Sequence, residues 1–209
     1  TSSLLREDYL GDRTINYTPI SLREVQALRF STALDTSVRD TRVSLTPYLR
    51  WNSMELLPNW SLTYDPTLYE TGHSSLGLLA RGSRDLPALR ARMIAGVDID
   101  YSPGGREEYR IDPVREGRIF SAYTREELLY DYDVTYQGIS PYLQIESNPI
   151  ERLHLMAGLR YDRMAYDYES RLDPLDSGRW RRPADTRVEF DHLSPKLGAA
   201  YEFGRGLSA

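Results

Sequence analysis

Asp98 and Asp100 stand two residues apart, the spacing at which two carboxylates project from one face of an extended chain. Such a pair could share acid–base work, but it equally describes a hydrated strand surface, and nothing around it argues for turnover. The sequence has no glycine-rich phosphate loop, no HExxH and no G-x-S-x-G elbow. Cysteine is absent, which removes disulfides, thiolate metal sites and a cysteine nucleophile. His73, His154 and His192 share no metal-ligand spacing, and the last two fall among polar alternates where a wetted wall residue is expected. The expectation is therefore a protein that is not an enzyme, with no metal and no cofactor.

Binding is the better question. Trp60, Tyr64, Tyr69 and His73 gather in one polar stretch, and Arg179, Trp180, Arg181 and Arg182 in another. Guanidinium groups and aromatic faces together suit an anionic, ring-bearing ligand. Solvated loops that merely keep the protein soluble would have the same composition. The net charge of -5 is spread along the chain, with acids and bases mixed, and lacks the basic face that nucleic acid requires.

The elements that position these residues show a period of two. Leu153, Leu155, Ala157, Leu159 and Tyr161 alternate with His154, Met156, Gly158, Arg160 and Asp162. Leu193, Pro195, Leu197, Ala199, Tyr201 and Phe203 oppose Ser194, Lys196, Gly198, Ala200 and Glu202. Val43–Trp51 and Met93–Tyr101 repeat the pattern, and Leu28–Leu34, Leu76–Ala80 and Ile139–Ile145 do so more weakly. That gives about seven strands and no amphipathic helix. Connections alternate in length. Short turns fall near Ser37–Asp40, Asp85–Pro87 and Ser147–Ile150, and long stretches at roughly Asn52–His73, Pro103–Tyr130 and Ser170–Arg187.

Short and long connections in turn, with alternating strands between, mark a transmembrane β-barrel. A soluble β-sandwich has no reason to keep every second connection long. The mean hydropathy of -0.54 does not oppose a barrel, whose spanning strands average out as hydrophilic, and no run of about eighteen apolar residues is present to make a transmembrane helix. Trp51, Tyr101 and Tyr161 fall on the apolar alternates where strands would meet the outer interface, and Tyr201 and Phe203 near the inner one. Pro47, Pro141 and Pro195 lie inside strands, so each must sit where a missing N–H is tolerated. The alternation of Ile139–Ile145 carries Asp131 and Asp133 onto the lipid side. Either Gly138 marks a bulge or those acids stand above the bilayer.

Three segments in order, Ile139-Ser140-Pro141-Tyr142-Leu143-Gln144, Ala157-Gly158-Leu159-Arg160-Tyr161-Asp162 and Leu193-Ser194-Pro195-Lys196-Leu197-Gly198, resemble a series on successive barrel strands of TonB-dependent receptors. The resemblance implies a barrel of twenty-two strands closed by an N-terminal plug in a Gram-negative outer membrane. It further implies import of ferric siderophores or related metal chelates, energised by TonB with its partners ExbB and ExbD. The chain begins Thr1-Ser2-Ser3 and ends Gly206-Leu207-Ser208-Ala209, and no plug sequence or TonB box is recognisable. The expectation is thus all-β: an antiparallel up-and-down meander, with residues 1–209 forming a partial barrel domain without plug or remaining strands. Trp60, Tyr64, Tyr69, Arg179, Trp180, Arg181 and Arg182 are its candidate ligand contacts. A passive porin-type channel and a soluble sandwich that binds ligands are the rival readings.

Overall fold

Every stretch that alternates in the sequence except Leu28–Leu34 lies within one strand of the computed structural model, which describes residues 3–176, 178, 180–204 and 207–208. Among those residues the order is a short helix α1 (Arg6–Gly11), then β1 (Leu22–Ser31), β2 (Leu34–Val38), β3 (Thr41–Leu57) and β4 (Thr67–Leu86). A single 3-10 turn (Pro87–Leu89) leads to β5 (Ala91–Glu116), β6 (Ile119–Ile150), β7 (Leu153–Ser170), β8 (Thr186–Gly204) and the two-residue β9 (Leu207–Ser208). β1 and β2 both pair with β3, and from β3 to β8 each strand pairs antiparallel with the next. The result is an open up-and-down meander and not a sandwich: Leu155 and Leu197, which a second sheet would bury, are exposed. Helix α1 escapes a periodicity argument because six residues make fewer than two turns.

Prolines explain where the ladder is interrupted. Leu28–Leu34, expected as one strand, is split at Thr32 and Ala33. The register of β1 and of β2 on β3 is the same on both sides of the split, and it sets Thr32 opposite Pro47. The Thr32 N–H donates to the Pro47 carbonyl at 3.3 Å, but Pro47 has no N–H to return. Two further gaps follow the same rule. The β4–β5 register lapses at Ser74 and Ser75, opposite Pro103 and Ser102, and the β6–β7 register lapses at Ser140 and Pro141. Pro195 stays in register with Leu159. Its even-numbered neighbours hold the bonds to β7, as the Glu202 N–H donation to Arg152 shows, so its missing N–H faces the free edge of β8.

The long stretches are shorter as loops than expected. The first shrinks to 58–66, and the second is almost entirely hairpin, with β5 and β6 meeting at Gly117 and Arg118. Gly117 supplies the left-handed residue of that turn at φ 61°. In the third, the described residues between β7 and β8 form no strand, apart from a bridge between Leu175 and Arg182. The missed strand ends have a common cause. A strand with water on both faces has no reason to alternate, so period two ends where one-sided burial ends. Strand β6 accordingly runs 32 residues, far beyond the nine to eleven or so that cross a bilayer. Its register on β5 continues unbroken across Gly138, so there is no bulge there. Asp131 and Asp133 stand high on the strand, both paired to Arg171.

The two faces of the sheet differ. Cross-strand partners share a face, and on one face Leu49 meets Leu76, Ile99 meets Ile139, Leu143 meets Leu159, and Tyr161 meets Leu193. These side chains are exposed, and Leu197 reaches 84%. An apolar patch of this extent needs a nonaqueous cover. Its upper limit is abrupt. Two residues past Tyr161 and four past Leu193 towards the long connections, the same face carries Arg163 against Glu189 at 2.9 Å and Arg187 against Asp167 at 2.9 Å. Leu153–Tyr161 is thus one bilayer crossing in length.

Candidate functional site

All three long connections, and the segment ahead of β1, lie at one end of the sheet. The first two connections and the segment ahead of β1 pack there around a small core of Leu57, Leu62, Leu68, Ile111 and Phe120, while the third is tied to β6 through Arg171 and Arg182. The Phe120 N–H donates to the Tyr17 carbonyl at 2.8 Å, and that of Ile111 to Pro66 at 3.1 Å. Arg118, at the hairpin tip, reaches Asp8 of α1 at 3.2 Å. Glu108 is 4% exposed beneath this layer; burial pushes its carboxyl up, against the opposing pull of Arg106. The end is therefore a packed cap rather than a set of free loops.

A cleft of about 540 Å³ opens beside it, on the polar face. Met54, Leu56 and Trp60 form its apolar wall, and Asn16, Ser21 and Arg23 its polar one. Arg23 and Leu56 are cross-strand partners. The Ser21 hydroxyl is buried with no hydrogen-bond partner among the described residues, a cost of roughly 1–3 kcal/mol unless something supplies one. Trp60, 64% exposed, could cover a ring bound in that cleft.

The other candidate contacts are distributed. Tyr64 is exposed on the same connection as Trp60. Tyr69 and His73 lie in β4 instead of a loop, with the Arg106 guanidinium 4.6 Å above the Tyr69 ring. Arg179 lies outside the described residues. Trp180 packs edge-on against Tyr130 at 6.1 Å, and Arg181 is largely exposed, 3.9 Å from Asp176. Arg182 has a structural task. Its guanidinium donates to the carbonyls of Leu129 at 2.9 Å and Asp173 at 3.0 Å, while its backbone forms the bridge to Leu175. Arg182→Ala should therefore loosen 171–185 by about 1–3 kcal/mol, for two charge-assisted bonds, whereas Arg181→Ala should not. Limited proteolysis of the two variants measures this, and equal cleavage rates would show that Arg182 does not hold the loop.

Sequence reasoning missed a column of rings on the polar face. Tyr136 packs at a tilt on Tyr166 at 5.1 Å, Tyr166 meets Phe190 at 6.4 Å, Tyr132 packs at a tilt on Tyr168 at 5.1 Å, and Tyr130 links Tyr132 to Trp180. Its signal was present, since Tyr130, Tyr132 and Tyr136 share one parity, as do Tyr166 and Tyr168. Below it, Asp98 is bound by Arg160 at 2.8 Å, and Asp100 accepts from the hydroxyls of Tyr48 and Ser102. Both carboxylates are occupied by the wall. The Tyr48 and Tyr142 rings lie flat over Gly77 and Gly96 of the neighbouring strands, where any Cβ would collide with them.

An open meander with one apolar and one polar face, longer than a bilayer is thick, describes a barrel wall. A family model described as TonB dependent receptor-like, beta-barrel matches residues 2–209. The chain belongs to this family. TonB-dependent receptors are transporters of the bacterial outer membrane and not enzymes. Among solved structures, the ferric citrate transporter FecA in its unliganded form superposes with a TM-score of 0.66 at 14% identity, covering 96% of this chain and 28% of FecA. The siderophore receptor PiuA from Acinetobacter baumannii gives 0.63 at 10% identity, covering 88% and 31%. The copper transporter OprC gives 0.59 at 17%, covering 88% and 29%. The chain spans about a third of the length of these structures, and at such identities they show the fold alone. A comparison with curated proteins gives no match.

Proposed function

We propose that this chain forms wall strands of a TonB-energised receptor that imports ferric siderophores or a related metal chelate, with the cleft beside Trp60 as a contact for the incoming chelate. The observation that carries the proposal is that cleft, which sets an exposed indole, an arginine and an unpartnered hydroxyl together at the end where the long connections gather. Tyr64 and Arg181, both exposed, are the further contacts within reach of solvent at that end. Energy would come through TonB, ExbB and ExbD. Ferric citrate, a ferric catecholate and copper are the ligands to try, since structures of similar fold carry those names.

The test is chelate binding to the full barrel that contains these strands, in detergent micelles. Trp60→Ala combined with Arg23→Gln should weaken the bound chelate about tenfold or more, through loss of ring contact and a charge-assisted bond. The loss should be largest at low salt, where exposed charge is least screened. Unchanged affinity of the double variant for every chelate the protein binds would remove the cleft from the route. Uptake that persists in a strain without TonB would remove the energised reading.

A further inference from the structure

A second cluster lies at the opposite end of the polar face, beside the short turns. Arg42 of β3, Arg81 of β4 and Arg92 of β5 converge there around Ser83. They line one cleft of about 500 Å³ together with Ser44. Ser83 pairs with Arg42 across one ladder and accepts from Arg92 at 3.3 Å across the other.

Donors outnumber acceptors in this cleft. Each guanidinium carries five N–H groups. The one carboxylate in contact, Asp85, is divided between Arg42 at 3.1 Å and Arg92 at 3.8 Å. Asp35 borders the cleft but forms no ion pair with any of the three among the described residues. The Arg92 Nε is buried and, among the described residues, has no partner at hydrogen-bond distance, its nearest carboxylate oxygen being that of Asp85 at 3.8 Å. The Arg81 side chain, in the cleft lining, makes no ion pair or hydrogen bond among the described residues. Three like charges around a buried serine, with more planar donors than neighbouring carboxylate oxygens, present a surface complementary to an anion. Carboxylate and phosphate oxygens match guanidinium donors in bidentate pairs.

We propose that this cleft binds a small oxyanion, a phosphate or polycarboxylate group, on the polar wall at the short-turn end. It is separate from the cleft beside Trp60 and stands or falls independently of it. Asp85 is the internal competitor. It holds two of the arginines when the cleft is empty and must yield them when the anion enters.

Calorimetric titration of the full barrel that contains these strands, in detergent micelles, with inorganic phosphate and separately with citrate, tests the proposal at low ionic strength. Saturable binding of at least one anion is expected, weakened about tenfold by Arg81→Gln. Asp85→Asn should tighten binding several-fold, because it removes the competing carboxylate; a merely structural arginine cluster would not respond in this direction. Arg84→Gln is the control, since Arg84 pairs with Asp40 at 3.4 Å on the other face, and should leave the affinity unchanged. If Arg81→Gln does not fold, the direction of the Asp85→Asn change decides. Absence of saturable binding for both anions, an affinity indifferent to Arg81→Gln, or weaker binding in Asp85→Asn would overturn the assignment.

Discussion

In a full barrel that contains these strands, Leu197→Arg is expected to abolish assembly in the outer membrane, and Met156→Arg to leave it intact. Leu197 projects from the middle of the apolar run Leu193–Phe203 on β8 and is the most exposed of the large apolar side chains there, at 84%. Its cross-strand partner is Ala157, itself central in the apolar run of β7. If this face meets lipid, an arginine here sits near the bilayer midplane and costs roughly 2–4 kcal/mol, a factor of thirty or more in the folding equilibrium. Met156 belongs to the other face. It is the cross-strand partner of Glu146, so an arginine at 156 gains an acid instead of losing water. Heat-modifiable mobility of the two variants, isolated from outer membranes, is the measurement. Equal yields would mean that the apolar face does not contact lipid.

That contrast was legible in the sequence because lipid on one side imposes period two. Leu153–Asp162 and Leu193–Phe203 declared both their strands and their faces. The same physics explains the misses. Tyr69, His73 and Pro103–Tyr130 were placed in loops, yet most of these residues are strand. Above the apolar limit set by Arg163 and Glu189, both faces are hydrated or covered by the cap, and no alternation remains to be read. Other features depend on a neighbour that the local sequence does not name. The split at Thr32 is caused by Pro47 on the facing strand, and the Tyr48 ring needs Gly77 one strand away. The arginine-rich segment illustrates the limit for the site. Nothing in Arg179–Arg182 distinguishes a free side chain from Arg182, whose donors are committed to the carbonyls of Leu129 and Asp173. Composition marked the segment for binding, and only tertiary contacts divide its labour.

A polypeptide of these 209 residues alone is expected to aggregate or be degraded rather than give a heat-modifiable outer-membrane band. The sheet is open, since β1 and β2 occupy one edge, β8 with the two-residue β9 the other, and among the described residues the edges do not pair with each other. Every second residue of an edge strand aims its N–H and C=O outward, so a crossing of nine to eleven or so leaves roughly ten unpaired groups per edge. Each costs several kcal/mol in hydrocarbon. The sum runs to tens of kcal/mol, beyond the roughly 5–15 kcal/mol by which folded domains are stable. Closure by further strands is what removes such a penalty. Burial of the edges against water-filled lumen or protein would relieve the polar groups, but the apolar faces of β1 and β8 adjoin the same edges, with Phe30 and Leu197 both exposed. Expression in a strain that lacks its own iron-chelate receptor, followed by heat-shift electrophoresis and growth on the chelate, tests this directly. Restored TonB-dependent growth would refute the closure argument outright. A heat-modifiable band with crosslinks between β8 of one copy and β1 of the next would refute it differently, by showing that copies of this sheet close one another.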